Sequence, residues 1–469
     1  MFALSLLLLL SLLHGAATQD VMCMANRCPP TMVHTMLRPD GTSVHVLWQT
    51  FGKTAGNSTV WLGTSPGKYT LALDSQREQS ITQSEAGYNV LFDHLVDLPG
   101  LPPLTTFYYR VGDPGGSGTS DELSFTTGPA PGGRVKGRAL QMQFAFFGDM
   151  GLANSQATIG LLETLASTGL NGSAPIDFVI HGGDIGYGDQ YPAYMYERVW
   201  QQFFANMEPV MSRVPYMVAP GNHEFGCGHD ECEGDTRDFR TYGMRFALPV
   251  RSYGGLSPMW YAFQRGNVQF VVTSTETDYP RAFFDSKFGD QLKWLDATLA
   301  AAVKNRANVP WIFVIGHRPI YSTDNFFVDC DKSGATCWPK GDSAIVQAAF
   351  EPLFVKYGVD VVFSGHVHSY QRTFAVKNNG TSISKNFHNP NAPVYVVAGG
   401  AGSEEGLTDA TEHKSGVPWS AHMLGSTESA GVLSVVEDDA NQLHKATWTL
   451  YRSHDQGIED QFTISKDMM

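Results

Sequence analysis

Seven short apolar runs follow one another in the larger part of the chain, at residues 144–147, 176–180, 216–219, 268–273, 311–315, 359–363 and 394–398. Helix-like stretches at 155–167, 194–211 and 290–302 lie between them. Buried strands alternating with helices predict a layered α/β domain. Five of the runs end in residues that can bind a metal. They are Asp149 in GDMG, Asp184 and Tyr187 in GGDIGYGD, Asn222 in GNHE, His317 in GHRPIY, and His366 with His368 in GHVHSYQR. Open α/β sheets bind ligands at the C-terminal ends of their strands, where all five motifs fall. A carboxylate can bridge two ions, and a phenolate suits one hard, highly charged ion.

Each of these residues alone has a structural role open to it: an Asp that caps a helix, a Tyr packed beneath a loop, a His bonded to a carbonyl. Five coincidences at strand ends favour a shared metal site instead. The glycines before the ligands are expected to turn the backbone sharply so that side chains converge. His366 and His368 would share one face if their segment were extended.

Ahead of this domain, strand candidates at 44–48, 58–63, 88–95, 104–112 and 124–127 are separated by turn residues, which predicts a β-sandwich. The Trp48 strand and the stretch LPPLTTFYYRVGD resemble a fibronectin type III module. A Pro/Gly linker at 128–133 separates the two patterns. The expected organisation is a sandwich over 29–128 and a catalytic α/β domain over 138–469. No metal-ligand cluster occurs in the sandwich segment, so a supporting or interaction role is expected there.

At 469 residues the chain is long enough for two domains. Its formal net charge of -14 argues against nucleic acid as the main partner. The apolar run 2–13 with small residues at 15–17 has the length of a secretory leader, though it lacks a basic start. A cleaved segment 1–18, no membrane span, and a secreted or endomembrane-luminal protein are expected. Six cysteines fall as three close pairs, Cys23 with Cys28, Cys227 with Cys232 and Cys330 with Cys337, and the clustering favours local bridges. Zinc is the alternative for CGHDEC, which contains His229. Sequons at Asn57, Asn171 and Asn379 are glycosylation candidates in a eukaryotic host.

The five motifs, in this order, resemble the five blocks of the purple acid phosphatases, and the sandwich is similar to that of their large, two-domain members. The resemblance implies an α/β/β/α metallophosphoesterase domain. It also implies a binuclear centre with Asp149, Tyr187 and His368 on Fe(III) and Asn222, His317 and His366 on a divalent ion (Zn, Mn or Fe). Asp184 would bridge the two. Other metallophosphoesterases usually carry Asp-x-His in the first block; here that position is Gly151, and the resemblance implies that the Tyr187 phenolate takes the imidazole's place. The implied activity is hydrolysis of small phosphate monoesters at acidic pH by a metal-bound hydroxide. His223 matches the position that contacts substrate phosphate.

Plant members carry two histidines about nine residues beyond the His317 position; this chain has Phe326 and Phe327 there. Leaving-group protonation would then fall to another group, with His229 and Asp324 as candidates, or the enzyme would favour good leaving groups. Two rival readings are a metal-dependent phosphodiesterase or nucleotide pyrophosphatase, and an exported binding protein with a vestigial metal site.

Overall fold

The computed structural model describes residues 29–38, 40–51, 58–75, 77–81, 91–115, 118–132, 141–227, 239–246, 259–276 and 288–468. The leader candidate 1–18, Cys23, Cys28, Cys232, His229 and Asn57 lie outside them.

The first part is a two-sheet sandwich. One sheet runs Thr31–Leu37, Val44–Phe51, Leu91–Leu98, Arg77–Ile81; the other runs Leu71–Asp74, Thr59–Gly63, Thr106–Asp113, Gly118–Thr119, with Leu123–Thr126 also paired to Thr106–Asp113. Inward-facing Val33, Val46, Trp48, Val60, Leu62, Val96, Tyr109 and Val111 form its core. Thr106–Asp113 alternates over its first half, whereas Thr31–Leu37 and 44–50 are buried almost throughout because the first sheet also packs against the second part.

The second part is built on two larger sheets laid face to face. A six-stranded sheet has the order Tyr216–Val218, Phe178–His181, Gln141–Phe147, Ser429–Asp438, Leu443–Arg452, Ile458–Asp467. A seven-stranded sheet has the order Tyr261–Arg265, Val268–Val272, Trp311–Ile315, Val361–Ser364, Val394–Ala398, Tyr370–Thr373, Ser420–Leu424. Aromatic rings fill the space between the sheets: Phe144 lies against Phe178, Phe270, Phe313 and Phe363, with centroids 5.1 to 6.3 Å apart. Each such ring withdrawn from water is worth about 2–3 kcal/mol, so this seam holds the sheets together. Helices Gln156–Ser167 and Tyr196–Met211 lie beside the six-stranded sheet, and Gly289–Lys304 and Asp342–Tyr357 beside the seven-stranded one, giving the expected α/β/β/α order.

The sandwich is bonded to the second part through the helix Tyr196–Met211. Met32 N–H donates to Glu208 (2.7 Å), Thr35 Oγ1 to the Met211 carbonyl (3.1 Å), and Tyr109 Oη to the Ser212 carbonyl (2.8 Å). Within this contact Arg245 forms a buried ion pair with Glu197, and its guanidinium lies 5.7 Å from the Trp200 ring. His34 of the sandwich bonds the Arg245 carbonyl (2.9 Å). Among the described residues no helix is long and apolar enough to cross a membrane.

Burial raises the Glu197 carboxyl pKa and Arg245 opposes that rise. Arg245→Met should therefore destabilise the fold by about 3–5 kcal/mol in denaturant unfolding, and adding Glu197→Met should recover most of the loss. A single-variant loss below about 1 kcal/mol would show that the pair contributes little.

Candidate metal centre

Three motifs leave the six-stranded sheet and two leave the seven-stranded one, all where parallel strands end. Asp149 follows Gln141–Phe147, Asp184 and Tyr187 follow Phe178–His181, and Asn222 follows Tyr216–Val218; His317 follows Trp311–Ile315, and His366 with His368 follow Val361–Ser364. A bond from Gly148 N–H to the Ala398 carbonyl (2.8 Å) holds the two sheet ends together, so the side chains meet across the seam.

They form two groups. Tyr187 Oη lies 3.4 Å from Asp149 Oδ1 and 3.1 Å from His368 Nε2, and the last two atoms are 3.4 Å apart. This triangle is the size of one face of an octahedron of N and O donors around an ion. In the second group His317 Nε2 lies 3.0 Å from Asp184 Oδ2 and 3.3 Å from Asn222 Oδ1. Donor atoms of Asp184, His317 and His366 all lie within 4.8 Å of one another. Two mixed oxygen and imidazole donor sets side by side, the Tyr187 one richer in oxygen, fit two cations.

Buried groups around the centre hold these donors in place. His317 Nδ1–H donates to the Gly182 carbonyl (2.9 Å) and His368 Nδ1–H to the Gly406 carbonyl (2.8 Å), which leaves each Nε2 directed at the centre. Both Asp149 oxygens accept from His366 N–H (3.0 and 2.8 Å), and Asp184 Oδ1 accepts from His223 N–H (2.9 Å). Glu224 ties two ligand loops together by accepting from Asp184 N–H, Ile185 N–H and Gly221 N–H, each at 2.8 Å.

Gly183, at φ 93, makes the sharp turn expected of it, whereas Gly148, Gly221, Gly316 and Gly365 do not take a positive φ. The ligands themselves take the left-handed backbone: Asp149 (φ 61), Asp184 (φ 53), Tyr187 (φ 53) and His366 (φ 69). Such strain in non-glycine residues collects at functional sites. Gly221 and Gly365 mainly provide room, since a Cβ built at Gly221 would overlap Asp184 and one at Gly365 would overlap Asp149. The extended reading of GHVHSYQR also fails. Its left-handed His366 breaks the alternation, so His366 turns toward His317 (ring centroids 5.1 Å) while His368 turns toward Tyr187 and Asp149.

The buried carboxylates shift the ionisable groups around them. Burial opposes charge on His317, but Asp184 and Asp149 outweigh it and raise the imidazole to about 9. Burial likewise opposes charge on His223, which Asp184, Asp189 and Glu405 raise to about 10. Burial and then the Asp149 and Asp184 charges push the Tyr187 phenol well above its ordinary value, so a phenolate there needs a strong Lewis acid. His366 is held well below the ordinary imidazole range by burial and by Arg318, whose Nη1 lies 2.8 Å from its Nε2.

His223 stands beside the ligands, its Nδ1 2.8 Å from Asp189 and its Nε2 3.8 Å from Asp184. The sequence reading gave no role to Asp189, Glu224, Glu404 or Glu405. The first two lie within motifs already singled out, which was the available signal. Glu404 accepts from Leu152 N–H (2.6 Å) and Tyr191 Oη (3.1 Å), and occupies the space a side chain at Gly151 would need. Glu405 approaches His223 (3.7 Å) and His368 (3.8 Å).

Cys330 and Cys337 are bridged. Cys227 is also disulfide-bonded, which removes its thiolate as a zinc ligand. Asn171 and Asn379 are exposed on turns. Asp324 is buried and accepts from Phe326 N–H, holding a turn rather than facing solvent.

A family model described as calcineurin-like phosphoesterase matches residues 142–370, and one described as purple acid phosphatase, N-terminal domain, matches residues 30–127. Acid phosphatase type 7 of Mus musculus is 33% identical over 336 residues, 71% of this chain and 68% of that protein. Purple acid phosphatase 18 of Arabidopsis thaliana is 30% identical over 430 residues, 91% of this chain and 82% of that protein. The purple acid phosphatase from yellow lupin (Lupinus luteus) seeds shares the fold, with a TM-score of 0.72 at 22% identity over 94% of this chain and 75% of its own.

Two outcomes follow from this geometry. Gly365→Ala should lower metal content without unfolding the chain, checked by elemental analysis beside circular dichroism; full occupancy would contradict the overlap with Asp149. Because His317 carries a proton below about pH 9, metal must displace it. The apparent affinity of metal-free protein should therefore rise with pH and level off above that value, with proton release on binding. An affinity independent of pH from about 6 to 9 would contradict this.

Proposed function

The chain belongs to the purple acid phosphatases, and from that premise we propose that it is an exported enzyme hydrolysing small phosphate monoesters at acidic pH. Its sandwich spans 29–128 and its catalytic domain 138–469. In this reading Asp149, Tyr187 and His368 hold Fe(III), and Asn222, His317 and His366 hold a divalent ion (Zn, Mn or Fe). Asp184 touches both. The observation that carries the reading is the buried phenol of Tyr187 in a triangle with Asp149 and His368.

When bound, the two cations supply Lewis acidity toward phosphoryl oxygens and activate water. The remaining work belongs to side chains. Asp189 accepts from His223 Nδ1–H and fixes the ring, which also lies against Tyr187 with centroids 4.2 Å apart. The Nε2–H of the cationic ring is then presented beside Asp184 and donates one charge-assisted hydrogen bond to a phosphate oxygen. An anion is thereby held by local positive charge on a chain whose net charge is -14. Export is supported by the apolar leader pattern together with the Cys330–Cys337 bridge.

The test is colour. Oxidised, iron-loaded protein should show a visible tyrosinate-to-iron band that Tyr187→Phe removes, with turnover falling less than in Asp184→Asn. Asp184→Asn should lose both metals, because it removes the shared carboxylate. Iron-loaded protein without the band would refute the assignment, and a band surviving Tyr187→Phe would move the ligand elsewhere.

A further inference from the structure

We infer that the turn carrying Phe326 and Phe327 is the subsite for the organic part of the ester, and that it selects planar, apolar groups. This rests on the phosphatase reading above and deepens it. The Phe327 ring lies against His366, with centroids 5.6 Å apart and planes inclined by 56°. It is only half-buried, so one side covers a candidate ligand while the rest stays open to solvent. Phe326, the next residue back, is 77% exposed. A lone exposed ring needs no explanation; the Phe327 ring differs in touching the candidate ligand His366, where it makes an apolar ledge, with Phe326 next to it in the chain.

The ledge is held rigidly. Asp324 Oδ1 accepts from Phe326 N–H (2.7 Å), and the Asp324 carbonyl accepts from Phe327 N–H (2.9 Å) and Val328 N–H (3.1 Å). Immediately beyond, Val328–Cys330 pairs with Cys337–Pro339, the Cys330–Cys337 bridge closes that hairpin, and Lys340 N–H returns to the Phe327 carbonyl (2.9 Å). From the other side, Asn325 N–H bonds the Glu412 carbonyl (2.9 Å) and Lys414 N–H the Thr323 carbonyl (2.7 Å). A preorganised apolar surface loses little entropy when a flat ring settles on it.

The two ends of the site therefore differ in character. His223, oriented by Asp189, lies toward His368 and Tyr187 and suits the phosphate end. The nearby Arg318 is taken up by Glu276 (3.0 Å) and Asp342 (2.6 Å). An ester whose phosphate sits at the metal-donor groups can direct its organic part onto carbon at Phe327 and Phe326.

The experiment compares kcat/KM for 1-naphthyl phosphate and glycerol 1-phosphate in the metal-loaded, full-length protein. Metal content is measured in each variant. Phe327→Leu keeps apolar volume over His366 and removes the flat ring; Phe326→Ser removes the exposed ring without touching His366. Each should lower the naphthyl-to-glycerol selectivity ratio roughly tenfold, the scale of one lost apolar contact. A ratio unchanged in both variants at full metal content overturns the subsite. If wild-type protein turns over neither ester, the phosphatase reading itself falls, and the subsite with it.

Discussion

The carboxylate of Asp184, buried between His317 and His223, is the interaction on which the centre depends. Burial penalises its charge, yet the neighbouring imidazoles more than compensate and hold it well below the ordinary carboxylate range. In the metal-free chain those imidazoles must be protonated to do so. With cations present, Asp184 keeps its charge and His317 gives up its proton, while His223, paired with Asp189, keeps its own. The same carboxylate thus organises both states, and the loops around it are shaped to leave it room.

Support for that carboxylate runs a long way through the molecule. Asp184 and Tyr187 sit on a loop tied to Glu224 and packed on the helix Tyr196–Met211, where a Cβ at Gly186 would meet Trp200 at 3.6 Å. The same helix carries Glu197, paired with Arg245, and Glu208, bonded to the sandwich. The sandwich therefore contributes to the ligand loop's position without supplying a ligand. Left-handed residues such as Asp184 and Tyr187 persist only where their surroundings over-determine them, and this chain of contacts supplies that constraint.

Much of this was legible in the sequence because strand ends, glycines and ligand types recur in one order. The seven candidate donors were each named from their motifs, but Asp189, Glu224 and Glu405 beside them were not. What was missed depended on tertiary context. The helix Asp342–Tyr357 carries apolar residues on nearly every side, such as Ile345, Val346, Ala348, Phe350 and Val355, so it shows little amphipathic periodicity. The strands Ser429–Asp438, Leu443–Arg452 and Ile458–Asp467 carry many polar residues, since one face of each is partly exposed. The splitting of His366 from His368 follows from one left-handed residue that an extended pattern conceals. Glu404 could not be connected with Gly151 before folding, because 253 positions separate the two in the chain.

The central claim is that two cations share Asp184, with iron on the Tyr187 side. Anomalous X-ray scattering from crystals of the purified protein, recorded on both sides of the iron absorption edge, tests it directly. Two peaks should appear, one among Asp149, Tyr187 and His368 and one among Asn222, His317 and His366, with Asp184 reaching both and iron in the first. A single peak, or iron lying away from Tyr187, would contradict the account.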